Sequence, residues 1–213
     1  IVSPSSDWGM ASGSTLEIRA RVSSQKEPTS GGEVTWWSDQ EGQLGSSSVD
    51  SDEQTSFLLE GLEDGIHRVE MRFSGEEFGG CTAEVGVGVG PAPSIEIVVP
   101  AEATSVVESE SLTAIAEVNH TESVTLSWIS DIDGVLQTRT IRSGGRSTLK
   151  TSELSAGVHQ LSAFAQDALG VPGSDVTQVT VKGIPTAPRI ALRPQQPLDD
   201  DSLSVELLKS SED

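Results

Sequence analysis

The residues of this chain with types and spacing suited to chemistry are carboxylates on two turns, two corner histidines, a lone cysteine and four tryptophans. Ser130-Asp131-Ile132-Asp133-Gly134 has a counterpart in Ser38-Asp39-Gln40-Glu41-Gly42. Alternate carboxylates ahead of a glycine resemble the opening of a calcium loop, where oxygens converge while Gly permits the bend. The downstream bidentate Glu of an EF-hand is missing, and the same residues also suit an Asp-Gly turn between two strands. His67 and His159 sit at matching places, in Leu62-Glu63-Asp64-Gly65-Ile66-His67 and Leu154-Ser155-Ala156-Gly157-Val158-His159. They could serve as metal ligands or a pH switch. Zinc needs three or four ligands, and each stretch offers one His, while Cys81 has no counterpart. A structural hydrogen bond is the better reading. Gly86-Val87-Gly88-Val89-Gly90 matches a phosphate loop in composition only, with no helix after it. No catalytic constellation emerges, so the chain reads as a non-enzyme.

The elements carrying these residues repeat. Trp36-Trp37-Ser38-Asp39 aligns with Trp128-Ile129-Ser130-Asp131 at an offset of 92, which also carries Leu62, Gly65, His67, Val87 and Val89 onto Leu154, Gly157, His159, Val179 and Val181. Upstream, Leu16 matches Leu112 at an offset of 96, so four extra residues are expected within Lys26–Gly32 of the first copy. A third copy opens at Pro188-Arg189-Ile190-Ala191-Leu192 and Ser202–Leu207. Constant internal offsets mark a tandem array. The expected boundaries are 1–92 and 93–184 for two repeats and 185–213 for the opening strands of an incomplete third. The joints are short and Pro-rich, Gly90-Pro91-Ala92-Pro93 and Gly183–Pro188, which favours semi-rigid, end-to-end spacing.

Within the second copy, strands are expected at 95–99 (A), 112–118 (B), 124–129 (C), 135–141 (C′), 147–154 (E), 158–164 (F) and 176–181 (G). Leu112, Ala114, Ala116 and Val118 alternate with Thr113, Ile115 and Glu117, the period of a half-buried strand. Seven short strands at this spacing predict an all-β chain of tandem immunoglobulin-like β-sandwiches. In that fold Trp36 and Trp128 fall on strand C as core residues, and His67 and His159 occupy the E–F corner, where a tyrosine commonly bonds the upstream backbone. Trp8 and Trp37 lack counterparts and are candidates for ligand contact if exposed.

The same topology gathers the C–C′ and E–F turns at the pole where the chain exits. Asp39, Glu41, Glu63 and Asp64 are expected there, facing Glu122 and Asp167 on loops of the next repeat, with Asp131 and Asp133 at the second pole. Such a cluster repels itself unless screened or metal-bound, so calcium is the one cofactor candidate and no other is called for.

The net charge is −20, divided −11, −6 and −3 among the three segments. A uniformly acidic surface disfavours nucleic acid and anionic membrane surfaces. No apolar run approaches the 18 or so residues of a membrane span, so no direct membrane insertion is expected. One cysteine excludes an intrachain disulfide. Asn119-His120-Thr121 is a glycosylation sequon at Asn119, relevant only where the source modifies Asn. The start at Ile1 suggests a piece of a longer or processed chain.

The order Trp-x-Ser-Asp-x-Asp-Gly-x-Leu, then Leu-x-x-Gly-x-His, then Ala-x-Asp-x-x-Gly resembles the bacterial and archaeal Ig-like or PKD-like repeats of large secreted and surface proteins. In the second copy it is carried by Trp128, Ser130, Asp131, Asp133, Gly134, Leu136, Leu154, Gly157, His159, Ala165, Asp167 and Gly170. The first copy departs from it after Phe73, and the Trp-Asp-Phe-Gly-Asp-Gly stretch of typical PKD domains is absent. The resemblance implies an extracellular or cell-surface stalk, spacer or assembly subunit. Its partners would be neighbouring Ig-like repeats of the same or another chain. The alternative is an adhesion module recognising a surface protein or carbohydrate through its pole loops. An unfinished third sandwich would be completed by the rest of its chain or by another molecule in trans.

Overall fold

Alternation decides the strands. Leu112, Ala114, Ala116 and Val118 point inward and are buried while their neighbours face outward, and the strands Leu16–Arg21, Glu33–Ser38, Val124–Ser130, Arg146–Thr151 and Gly157–Gln166 follow the same rule. The computed structural model describes residues 1–24, 29–75, 79–184, 189–193 and 204–209. Among them there are only strands, arranged as immunoglobulin-like β-sandwiches.

The first sandwich has β1 (Trp8–Ala11), β2 (Leu16–Arg21), β3 (Glu33–Ser38), β4 (Gly42–Ser48), β5 (Gln54–Leu59), β6 (Gly65–Gly75) and β7 (Gly79–Gly90). One sheet runs β1-β7-β6-β3-β4, faced by the pair β2-β5, with Ser3 bridging to Arg19 on β2. The second has β8 (Ser94–Val99), β9 (Thr104–Val107), β10 (Leu112–Asn119), β11 (Val124–Ser130), β12 (Gly134–Ile141), β13 (Arg146–Thr151), β14 (Gly157–Gln166) and β15 (Pro172–Lys182). Its sheets are β12-β11-β14-β15-β9 and β13-β10-β8. Two separate apolar clusters result, one within residues 10–89 and one within 97–181.

Sequence reasoning did not anticipate β1 and β9. Each follows a cis proline, after Ser3 or Val99, and crosses to the opposite sheet to pair in parallel with β7 or β15. Short strands with mixed exposure carry little periodic signal. The last strand before the corner is also shorter than expected: β13 ends at Thr151, and Leu154 turns inward from the corner as a buried core residue. Val22 corresponds to Val118 and Val34 to Leu126, so the four-residue insertion lies between them; residues 25–28 of it are outside the described set. Beyond the second sandwich, β16 (Arg189–Arg193) pairs antiparallel with β17 (Ser204–Lys209). Pro185, Thr186, Ala187 and Pro188 of the second joint lie outside the described residues.

Candidate functional site

Trp36 and Trp128 are fully buried at the centre of their cores. A buried indole N–H requires an acceptor. Trp128 Nε1 donates to Ser147 Oγ at 3.0 Å, and Trp36 Nε1 donates to Ser47 Oγ at 2.8 Å, with Thr55 bonded to that same serine. Phe57 stacks on Trp36 at 5.6 Å between ring centroids. Of the tryptophans without a counterpart, Trp8 is half exposed, whereas the ring of Trp37 is covered by the Arg72 guanidinium 4.6 Å above it.

The corner histidines show at first sight the parts of a hydrolytic triad. Ser130 Oγ lies 2.8 Å from His159 Nδ1, with Asp133 Oδ2 3.6 Å from the same nitrogen; Ser38, His67 and Glu41 repeat the arrangement at 3.0 and 4.0 Å. A triad needs the carboxylate on the opposite ring nitrogen from the serine. Here the opposite nitrogen, Nε2, donates to the carbonyl of Ser155 at 2.7 Å, or of Glu63 at 2.8 Å. With Nε2 protonated, Nδ1 accepts the serine proton. The Ser130 oxygen also receives the backbone N–H groups of Ile132 and Asp133. Both serines and both histidines are buried. Every donor and acceptor is satisfied within the fold, so the unit locks the C–C′ turn to the E–F corner.

The turn carboxylates act likewise. Asp39 accepts from Arg68 N and Asp131 from Gln160 N, fastening turn to strand. Asp133 accepts from both the N–H and the hydroxyl of Ser155, Glu41 from Glu63 N, and Asp64 from Ser12 Oγ. The Arg68 amide holds the Asp39 carboxyl below the usual carboxylate range, and the Ser155 hydroxyl does the same for Asp133. Asp39, Glu41, Glu63 and Asp64 thus share the exit pole of the first sandwich; the first two and Asp64 act as separate caps, while Glu63 is engaged through its main-chain N–H and carbonyl. Among the described residues no group of three or more His, Cys, Asp or Glu is arranged to hold a metal ion. Asp39, Glu41, Asp64, Asp131 and Asp133 each accept instead from a donor of the chain. Glu122 is exposed on the turn before β11, and Asn119 is exposed at the end of β10.

Asp167 has a different setting. Its Oδ1 accepts from Leu169 N at 2.9 Å and Val171 N at 2.8 Å, and its Oδ2 lies 3.5 Å from His120 Nε2, both side chains being almost fully buried. This shapes the β14–β15 loop, Leu169-Gly170-Val171, which abuts the exit edge of the first sandwich. A β-carbon on Gly9 would stand 2.0 Å from the Gly170 carbonyl carbon, and one on Gly88 would stand 2.3 Å from the Leu169 oxygen. A β-carbon on Gly173 would fall 2.0 Å from the oxygen of Pro93 in the joint. Val171 is fully buried yet belongs to neither core, because it fills the seam. Backbone approaches this close are possible only at glycine. Sequence reasoning missed this seam; its one available signal was the alternate glycines along Gly86–Gly90.

No protein-family model matches the sequence, and no curated protein matches it. Solved structures do resemble it. The fibronectin(III)-like modules of CbhA from Clostridium thermocellum share 18% identity, covering 85% of this chain and 92% of that one, with a TM-score of 0.48. The I67–I69 I-band fragment of titin shares 15% identity over 85% of this chain and 66% of that one, TM-score 0.36. The Ig1–2 module of the Drosophila receptor protein tyrosine phosphatase DLAR shares 10% over 83% and 95%, TM-score 0.34.

Proposed function

We propose that this chain is a non-catalytic, extracellular structural element, a spacer or stalk at a cell surface, with repeats over residues 1–92 and 93–184 and a third opening at 185–213. The observation that carries this reading is the seam in which Leu169, Gly170 and Val171 meet Gly9, Gly88 and Gly90. A spacer must hold its modules at a fixed angle, and a seam of touching backbones, closed by a four-residue Pro-rich joint, resists bending. The engaged histidines, serines and carboxylates of the poles support a scaffolding role for the residues that might otherwise suggest chemistry.

Small-angle scattering tests it. A compact chain of this length would have a radius of gyration of roughly 17 Å. Two sandwiches end to end, with strands of up to 12 residues, would stretch to about 80 Å overall and exceed that radius clearly. Gly88→Val should broaden the distribution of maximum dimensions while each sandwich keeps its melting temperature. A compact profile in the unsubstituted chain would sink the proposal. The alternative of ligand recognition rests on Trp8, half exposed beside Val2, Pro4 and Leu16. It calls for a ligand that quenches the fluorescence of Trp8 and not of the buried pair.

A further inference from the structure

The β12-β11-β14-β15 sheet shows its outer face to solvent, and none of the residues paired across that face is charged. The paired rows make this explicit. Val135, Ile129, Ser162 and Val176 lie side by side across the four strands. Ser127 continues the face to Thr138 and Phe164, and Thr125 to Thr140 and Gln166, while Val158 and Thr180 close it at the exit end. Val135 is 65% exposed, Val176 56% and Val158 54%. The charged residues of these strands lie off the face: Arg139 on the outer edge, Asp175 turned to the amide of Ile97, and Lys182 past the last row. Asp131, on the turn after β11, borders the face with its carboxylate engaged by the Gln160 amide.

The equivalent face of the first sandwich is different. Its central row reads Gln43, Trp37, Glu70 and Glu84, and Glu33, Arg68 and Arg72 stand on the same side. The same framework therefore tolerates a charged face, and a chain of net charge −20 leaves the paired rows of this one uncharged, with one amide-bound carboxylate, Asp131, at their border.

We infer that this face is a self-association surface, and that its partner is the same face on a second copy of the chain. Charge selects that partner. Two copies of a strongly acidic protein repel, and they can meet only where neither presents carboxylates. A two-fold contact matches a surface with itself, so the Val135 and Val176 edges of one copy can lie against those of the other. Four strands about 4.8 Å apart and some eight residues long present roughly 500–600 Å². Two such faces bury about 1,000–1,200 Å², the lower end for specific association. The dimer is accordingly weak and reversible. It goes beyond the spacer reading and does not depend on it: a stalk could be single or paired.

Sedimentation equilibrium on the full chain tests it. Mass should rise from 22.3 kDa toward twice that value as concentration increases. Val176→Glu and Ser162→Lys, both at surface positions, should each weaken dimerisation at least about tenfold, as expected for a central interface residue. Glu84→Gln, at the equivalent place on the first sandwich, should not weaken it. Added salt should strengthen the dimer by screening the remaining repulsion. A monomer at every concentration up to about 1 mM, where even weak specific contacts are populated, overturns the inference. So does a dimer that ignores both face substitutions or dissociates in salt.

Discussion

The two sandwiches are built alike inside and differ outside. Both bury a tryptophan whose indole donates to a serine, and both close the E–F corner with a serine–histidine pair bonded to a carbonyl four residues upstream. Their exit edges are not alike. Gly9, Gly88 and Gly90 of the first correspond to Ser105, Thr180 and Lys182 of the second, through the shared pairing of β1 with β7 and β9 with β15. The loop that fits the glycine edge could not sit as closely on the other. What recurs in both copies is what the fold needs, and what differs is where each copy meets its surroundings. The two joints should therefore not behave as one repeated hinge.

Truncating the cores gives the largest effects. Trp36→Ala and Trp128→Ala should each cost their own sandwich roughly 3–5 kcal/mol, seen as the loss of one of two unfolding transitions in calorimetry. An unequal outcome would credit the Phe57 stack, present only beside Trp36, with more than its area. Next come His67→Ala and His159→Ala. Each removes the ring that bridges a serine hydroxyl and a main-chain carbonyl, with an expected loss of about 1–3 kcal/mol from the buried groups left unpaired. Equal losses in chemical denaturation would support the shared corner design; no loss would show that water replaces the ring.

A smaller effect is acid-dependent. Asp39 and Asp133 have folded-state values below those of the unfolded chain. Their stabilisation is therefore complete above the ordinary carboxylate value near 3.9 and is lost as pH falls through the depressed folded values. Asp133→Asn should flatten the acid limb of the second sandwich alone, measured as its melting temperature against pH. The smallest effect expected is that of calcium. Because the turn carboxylates already face chain donors, millimolar calcium or a chelator should move either transition by no more than about 1 °C. A larger rise would mean the caps open to gather around the ion.

The architecture was legible because its signals are periodic and repeated. The offset of 92 aligned Trp36 with Trp128 and His67 with His159, and alternation along 112–118 identified a buried strand. The sites were less legible. Asp131 and Asp133 look the same in sequence whether their oxygens meet calcium or the amides of Gln160 and Ser155, since the facing donors come from 22 to 29 residues away. Gly88 looked like part of a glycine-rich strand, because the neighbour that requires it, Leu169, lies in another sandwich. The uncharged rows of the outer face were equally hidden: they become visible only when residues from four strands are read across the register instead of along the chain.

The parallel pairing of β1 with β7, and of β9 with β15, bears on how the chain would carry tension. Each pair joins a strand near the start of a sandwich to the strand that leaves it. A pull on the two ends drags these partners past one another along their length. The four rungs of each pair are then loaded together in shear, whereas a hairpin pulled open from its end loses its rungs one after another. Each sandwich is thus latched against stretching by the parallel pairing of an early strand with its last.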